Sequence, residues 1–395
     1  MRSLIRNNIK LWHVYLFLVL FCFIVVYIIG VAFRGNNQFQ RFFYIFTLVI
    51  IFGLVADYLY EFVLFGNINQ SPLDITTYDG SNQPYHPSVV FINEGWQGHR
   101  YWMVETPYPI GGLPYRDRWE CPTIHVSDDG TKWCSPANDD LKPIDDLTDD
   151  SILSKDYFSD PHLVFKNGIL ECFYRFSDYS GVKTKIYRKT SKDGIIWSER
   201  ELLIDVMTEK SLNTVGEMVI SPAVLWRGGK YLMWYVDSVK PFSLDKHIRL
   251  STSPDGHTWS ESKVCTLVGK SINPWHLDVT YVDDKYVMTI YDNKDLTLWI
   301  SKDGNLFSFV KNLLSPTYIR GCFYSEGLYR SSLIKDDEGY KVYFSAYDTS
   351  RTYLGVMSGN RMENIKPISI DGRKHVGFWR FGRTYLSIWK HRMKW

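Results

Sequence analysis

The chain has 395 residues with 45 basic and 43 acidic side chains, so its formal net charge of +2 shows no overall bias towards nucleic acid. Aromatic residues make up 16% of it, including 14 tryptophans and 27 tyrosines, which is typical of many short strands around a well-filled core. We therefore expect an aromatic-rich all-β protein and no nucleic-acid partner.

The first 66 residues differ in composition from the rest. Residues 11–33 carry no formal charge, and a helix of that length crosses a hydrocarbon core of about 30 Å. Residues 42–65 form a second apolar stretch, although Asp57 and Glu61 lie one helical turn apart within it. This pattern predicts a membrane anchor over residues 1–66 with two transmembrane helices, 11–33 and 42–65. One span followed by an interfacial helix is the alternative.

The anchor predicts a multi-pass protein of the cell membrane, or a single-pass one in the alternative, with the lipid bilayer as a partner. Residues 67–85, interpreted as a linker, contain no basic side chain, so the side of the membrane that carries the rest of the chain stays open. Five of the six cysteines lie outside the apolar stretches and cannot all pair within one chain. No disulfide framework is therefore expected.

A seven-residue turn pattern, Ser-x-Asp-Gly-x-x-aromatic, recurs after short β-like runs. Its copies begin at Ser127, Ser191, Ser253 and Ser301, and a degenerate copy lies at Ser358. In such a turn the glycine accepts a positive φ, and the aspartate accepts hydrogen bonds from backbone N–H groups of the turn. We therefore interpret the repeated aspartates as structural; they are Asp129, Asp193, Asp255 and Asp303.

Repeats of this spacing predict a five-bladed β-propeller over residues 86–395, preceded by the N-terminal transmembrane region. In a propeller the innermost strands line a central channel and begin at the same face. Candidate innermost strands begin near residues 87, 161, 222, 278 and 331. Ligand-binding residues are expected just before these strands, or after the strand that follows each, whereas the Ser-x-Asp-Gly turns should lie at the opposite face.

Acidic and aromatic side chains are concentrated at those positions. The candidate catalytic residues are Asp160, Glu120, Glu217 and Asp278. The candidate substrate-binding residues are His86, Tyr85, Trp119, Arg175, Trp275, His276 and Arg330. Two carboxylates that face each other across a cleft suit glycoside chemistry, in which one protonates the leaving oxygen and the other acts as base or nucleophile. We therefore expect a carbohydrate ligand.

Two motifs carry a resemblance to known enzymes. Asp160-Pro161 before an apolar strand resembles the blade openings of five-bladed glycosidases of glycoside hydrolase families 43, 32 and 68. The run Trp119-Glu120-Cys121-Pro122 resembles the acid motif of the invertase-like group. The resemblance covers roughly residues 86–370 as a pattern and implies that Asp160 stabilises the transition state or tunes the acid. His86 and Ser221 stand where family 43 has its base and its acid.

Two functions follow as hypotheses. The favoured one is a membrane-tethered glycosidase, or related glycosyl-transferring enzyme, acting on a surface polysaccharide or its precursor. The alternative is a non-catalytic carbohydrate-binding propeller in a polysaccharide biosynthesis or export assembly. No cofactor and no metal site are predicted, the alternative being a channel cation held by His86 with Asp160 or Asp278.

Overall fold

The computed structural model describes residues 71–109, 120–137, 141–145, 156–178, 184–205, 218–239, 243–316 and 322–368, and seven single residues between positions 24 and 46. The chain divides into two compact units, Met1–Ile68 and Asn69–Trp395. All of the strands described below belong to the second unit.

These strands form five sheets. Blade 1 contains β1 (Pro84–Trp96), β2 (His99–Pro107) and β3 (Thr123–Ser127). Blade 2 contains β4 (Tyr157–Lys166), β5 (Ile169–Ser177), β6 (Thr184–Ser191) and β7 (Glu201–Asp205). Blade 3 contains β8 (Met218–Arg227), β9 (Lys230–Ser238), β10 (Lys246–Ser253) and β11 (Lys263–Val264). Blade 4 contains β12 (Thr266–Val268), β13 (His276–Val282), β14 (Lys285–Tyr291), β15 (Leu296–Ser301) and β16 (Leu306–Leu314). Blade 5 contains β17 (Gly327–Asp336), β18 (Gly339–Tyr347), β19 (Thr352–Gly359) and β20 (Lys366–Pro367), which follows a 3-10 helix at Met362–Asn364.

The five sheets are arranged as a closed ring. Successive strands of each sheet pair antiparallel, apart from the short β12, which lies parallel to β16 at the outer edge of blade 4. The innermost strands are β1, β4, β8, β13 and β17; each contacts the next, and β17 contacts β1. The predicted all-β five-bladed propeller is confirmed. Large rings such as Trp102, Trp234 and Trp299 are fully buried in its core.

The Ser-x-Asp-Gly turns are held together by their own side chains, as the pattern predicts. In blade 2, Asp193 Oδ1 accepts hydrogen bonds from the N–H groups of Ile195 and Ile196, both at 2.8 Å, and Ser191 Oγ accepts one from Gly194. Ser191 pairs with Leu170, at the hairpin end of β5, whereas Arg175 pairs with Ser159 at the other end. The turns therefore lie at the face opposite the starts of the innermost strands.

The predicted multi-pass membrane localisation is contradicted. In the part of the chain that the structure describes, no helix is long and apolar enough to cross a membrane. The stretches 11–33 and 42–65, which carried the prediction, lie almost wholly outside that part. An uncharged run of sufficient length meets only the hydrophobic requirement for a span; a continuous helix is the second requirement.

One turn glycine also sets the contact between two blades, and this can be tested. Gly194 has a φ of 77° and lies against the ring of Trp102 in blade 1, so a Cβ there would overlap the ring. Gly168 has nearly the same φ, 76°, with open space around it. We expect Gly168→Ala to cost about 1–2 kcal/mol from backbone strain, and Gly194→Ala about 1–3 kcal/mol more from overpacking. Urea unfolding of the two variants measures the difference; equal costs would show that the Trp102 contact is unimportant.

Candidate functional site

The site begins with an irregularity that three innermost strands share. His86, Asp160 and Ser221 have φ values of 50°, 49° and 54°, and each directly precedes a proline. At these points the pairing registers of β1, β4 and β8 with their partner strands shift. A bulge of this kind frees the residue from the ladder and redirects its side chain. Three side chains from neighbouring strands are thereby brought to one level of the channel mouth.

Asp160 stands between two histidines from other blades. Its Oδ1 atom lies 3.6 Å from His86 Nε2 and 3.3 Å from His276 Nδ1. All three residues are buried, with 0–2% of their surface exposed. Each residue offers one potential metal-ligating atom, and these three atoms lie within 4.8 Å of one another. Blades 1, 2 and 4 thus contribute one side chain each to a compact group.

The charges of this group are fixed by its surroundings. Burial works to raise the pKa of Asp160, but the Arg175 guanidinium, 3.0 Å from Asp160 Oδ2, and the nearby histidines hold that pKa well below its ordinary value. Burial lowers the pKa of His276 to about 4. At neutral pH, Asp160 is therefore an anion and His276 is a neutral imidazole.

A cavity of about 270 Å³ reaches this group at His86. It is lined by His86, Tyr108, Glu120, Tyr157, Arg175 and Tyr329. His86 Nδ1 lies 3.1 Å from Glu120 Oε1 and 2.8 Å from Thr106 Oγ1. The imidazole of His86 is therefore in contact with both Glu120 and Asp160.

One wall of the site is aromatic. The ring of Tyr85 stacks between those of Tyr108 and Tyr329, with centroid distances of 5.2 and 5.1 Å. Tyr329 also packs on His276 at 4.0 Å and accepts a 2.8 Å hydrogen bond from Trp275 Nε1. Because flat rings suit the apolar faces of sugars, this wall can orient a carbohydrate.

The predicted site residues fall into three groups. The structure brings together at the cavity and its walls Asp160, Glu120, His86, Tyr85, Arg175, Trp275 and His276. Asp278 and Arg330 lie on innermost strands and are buried away from the cavity lining. Glu217 and Trp119 lie outside the described residues.

Asp278 contacts the neighbouring blade 5, whereas Arg330, in blade 5, contacts blade 3, which is not its neighbour in the ring. Asp278 Oδ2 accepts a 2.9 Å hydrogen bond from the Leu333 N–H group, and burial raises the pKa of Asp278 to about 6. Arg330 Nη2 donates to Pro222 O at 3.1 Å. In β13, Asp278 lies two residues beyond His276; Asp278 pairs with Thr289 and His276 with Tyr291. Asp278 and Arg330 therefore each connect two blades.

Sequence reasoning missed Tyr157 and Tyr329 as parts of the site. Tyr329 lies at the register shift between Leu328 and Ser331 in β17, the place that His86 occupies in β1. Alignment of the five innermost strands on that shift could have identified it. Tyr157 begins β4, three residues before Asp160, and lacks a comparable signal.

The group of His86, Asp160 and His276 has the donor chemistry of a cation site. Asp160 Oδ1 and both ring nitrogens of His276 have no hydrogen-bond partner of good geometry among the described residues, although Asp160 Oδ1 and His276 Nδ1 lie 3.3 Å apart. Buried polar atoms without partners cost about 1–3 kcal/mol each. A carboxylate with two imidazoles is a ligand set that Zn²⁺ and similar divalent metals accept. The residues therefore fit a divalent cation.

No protein-family model matches the chain. It is 26% identical over 369 residues to the A type blood N-acetyl-α-D-galactosamine deacetylase of Flavonifractor plautii. That match covers 78% of this chain but 45% of the curated relative, so the chain spans less than half of that protein's length.

Among solved structures, an N-acetylgalactosamine deacetylase from F. plautii, in complex with blood group B trisaccharide, superposes with a TM-score of 0.60 at 20% identity. The match covers 78% of this chain and 99% of that one. A family 43 β-xylosidase/α-arabinofuranosidase from a compost metagenome, in complex with xylotriose, gives 0.55 at 12% identity, covering 78% and 99%. A sucrose-6-phosphate hydrolase from Lactobacillus gasseri gives 0.55 at 13% identity, covering 77% and 64%.

These likenesses define the class of fold. The chain is a glycoside-hydrolase-like five-bladed propeller, and the resemblance to the five-bladed glycosidases is confirmed at that level. It is similar in sequence to a sugar deacetylase.

The ion pair of Asp160 with Arg175 predicts a large stability effect. Asp160→Asn leaves the buried Arg175 without its counter-charge, and we expect a loss of about 3–5 kcal/mol in the free energy of unfolding. Glu201→Gln is the matched control, because Glu201 pairs with Arg188 at 2.7 Å but is one-third exposed. Its cost should be about 1 kcal/mol or less. Urea unfolding measures both, and equal costs would contradict the buried pair.

The same pair sets a pH dependence. Since the folded pKa of Asp160 lies below its unfolded value of about 3.9, its stabilisation is complete above that pH and is lost as the pH falls through the folded pKa. The difference between wild type and Asp160→Asn should therefore be constant from pH 7 to about pH 5. A difference that already shrinks in that range would show that Asp160 is not held as an anion.

Proposed function

We propose that this propeller removes the acyl group from an N-acylated amino sugar, with a divalent cation held by His86, Asp160 and His276. The observation that carries the proposal is the convergence of these three buried side chains, of which Asp160 and His276 have unpartnered atoms and His86 lines the cavity. The cleaved bond would be an amide, which yields a carboxylate and a free amine.

The same geometry argues against glycoside cleavage by the paired carboxylates. A glycosidase needs two carboxylic groups about 5–10 Å apart with the scissile bond between them. Here the His86 imidazole lies between Glu120 and Asp160 and contacts both. Arg175 also keeps Asp160 ionised, so Asp160 is a poor proton donor. Asp160 is therefore better suited to electrostatic stabilisation than to protonating a leaving group.

The same residues are better placed for amide hydrolysis than for glycoside hydrolysis. A bound divalent cation polarises an amide carbonyl and lowers the pKa of a bound water. Glu120 lines the cavity and can take the proton from water as the C–O bond forms. It can then return that proton to the nitrogen as the C–N bond breaks. Arg175 holds Asp160 in place by its 3.0 Å ion pair.

The tyrosines give the cavity its selectivity for a sugar. Tyr108, Tyr157 and Tyr329 line it together with the polar group. Their rings can stack on a pyranose while the acylamino substituent points down towards His86 and Asp160. The sequence similarity to an N-acetyl-α-D-galactosamine deacetylase supports this substrate class, over less than half of that relative's length.

Acetate release tests the proposal directly. The full chain is incubated with glycosides of N-acetylgalactosamine and N-acetylglucosamine, with and without EDTA and with Zn²⁺, Co²⁺ or Mn²⁺ added back. We expect acetate release that EDTA abolishes and metal restores. Cleavage of the glycosidic bond with the acetamide intact would indicate a glycosidase instead, and sugar binding without either product would indicate a binding protein.

Glu120→Gln should lower kcat about 10²–10⁴-fold, because the proton acceptor is lost. Glu105→Gln is the matched control: Glu105 is also a buried blade 1 acid, 3.1 Å from a histidine, His125, but it does not line the cavity. We expect it to change kcat less than about 3-fold at the same temperature. Equal losses in both variants would remove Glu120 from the mechanism.

A further inference from the structure

Ser221 bonds to Asp160 of the candidate cation site and to the residue that follows His276, in two different blades. Its N–H group donates a 3.2 Å hydrogen bond to Asp160 Oδ2 in blade 2. Its hydroxyl donates to Leu277 O at 2.9 Å and accepts from Leu277 N at 3.1 Å in blade 4. Leu277 directly follows His276. We propose that Ser221 is a positioning residue that fixes the separation between Asp160 and His276, an inference that rests on the proposed function for its role in catalysis.

The regular pairing of β13 makes the position of His276 depend on this contact. The other four innermost strands have a register shift near the channel mouth, whereas β13 pairs regularly with β14 from His276 to Val282. The inner edge of β13 at His276 is therefore not placed by a bulge of its own. The two hydrogen bonds between Ser221 Oγ and the Leu277 backbone hold that edge against β8.

The conformation of Ser221 indicates that its side chain is required. Its φ of 54° is in the left-handed region. Glycine adopts this conformation at little cost, whereas for other residues the backbone strain is about 1–3 kcal/mol. A serine there is fully buried, and its hydroxyl makes both bonds to Leu277. On the channel side, Pro222 O accepts a hydrogen bond from Arg330, which holds the same peptide segment. The segment is thus fixed from two directions.

A matched control exists between the same two blades, 2 and 3. Thr184 Oγ1 in blade 2 accepts a 2.8 Å hydrogen bond from the Val219 N–H group of β8. This is also a buried hydroxyl that links blades 2 and 3, but neither residue lines the cavity or belongs to the cation group. Thr184→Val therefore removes an inter-blade bond of the same kind without touching the site.

The test compares Ser221→Ala, Ser221→Gly and Thr184→Val in the full chain. Isothermal titration with Co²⁺ measures cation affinity, thermal unfolding measures stability, and crystal structures measure the separation of Asp160 Oδ1 and His276 Nδ1. We expect both Ser221 variants to bind Co²⁺ about 10-fold more weakly and to show an altered separation, as for other residues that orient metal ligands. Thr184→Val should change affinity less than about 2-fold, whatever its melting temperature.

Ser221→Gly separates positioning from folding. Glycine relieves the left-handed strain but removes the hydroxyl, so its melting temperature should fall less than that of Ser221→Ala while its Co²⁺ affinity falls equally. Unchanged affinity and an unchanged Asp160–His276 separation in Ser221→Gly would overturn the inference. If the wild type binds no Co²⁺, the proposed cation site fails, and the crystallographic separation alone decides the role of Ser221.

Discussion

The structure depends on how the innermost strands end at the channel mouth. Four of them leave their regular pairing there, and at two of these bulges a side chain of a neighbouring blade satisfies the freed backbone group. Ser345 Oγ accepts from the His86 N–H group, and Asp160 Oδ2 accepts from that of Ser221. Since buried N–H groups must be paired, these two bulges require a polar side chain on the adjacent blade. Closing the ring therefore concentrates buried polar groups at one face.

The candidate site uses these same groups. Asp160 joins blades 2 and 3, pairs with Arg175 and also faces two histidines, so its structural and chemical roles cannot be separated. Its charge is held by Arg175, whereas His276 is kept neutral by burial. With His86 placed between the carboxylates of Glu120 and Asp160, the mouth of a glycosidase-like propeller has the ligand set of a cation site.

Much of the fold and part of the site could be predicted from sequence. The turn repeats predict five blades because Asp-Gly turns have a local cause, and Asp160, His86 and Glu120 follow from their places beside predicted strands. The convergence of His276 on Asp160 could not be predicted, since it depends on the regular pairing of β13 and on Ser221 in another blade. Asp278 was expected at the mouth, but its register places it further along the wall. The membrane localisation relied on hydropathy alone, and the described chain contains no helix able to cross a membrane.

The most direct test of the cation site is anomalous X-ray diffraction from crystals of the full chain grown with Zn²⁺, recorded on both sides of the zinc absorption edge. A divalent cation bound as inferred gives one strong peak among His86, Asp160 and His276, about 2.0–2.2 Å from the nearest nitrogen and oxygen atoms. A map with no peak at that position, at a Zn²⁺ concentration that supports acetate release, would contradict the account.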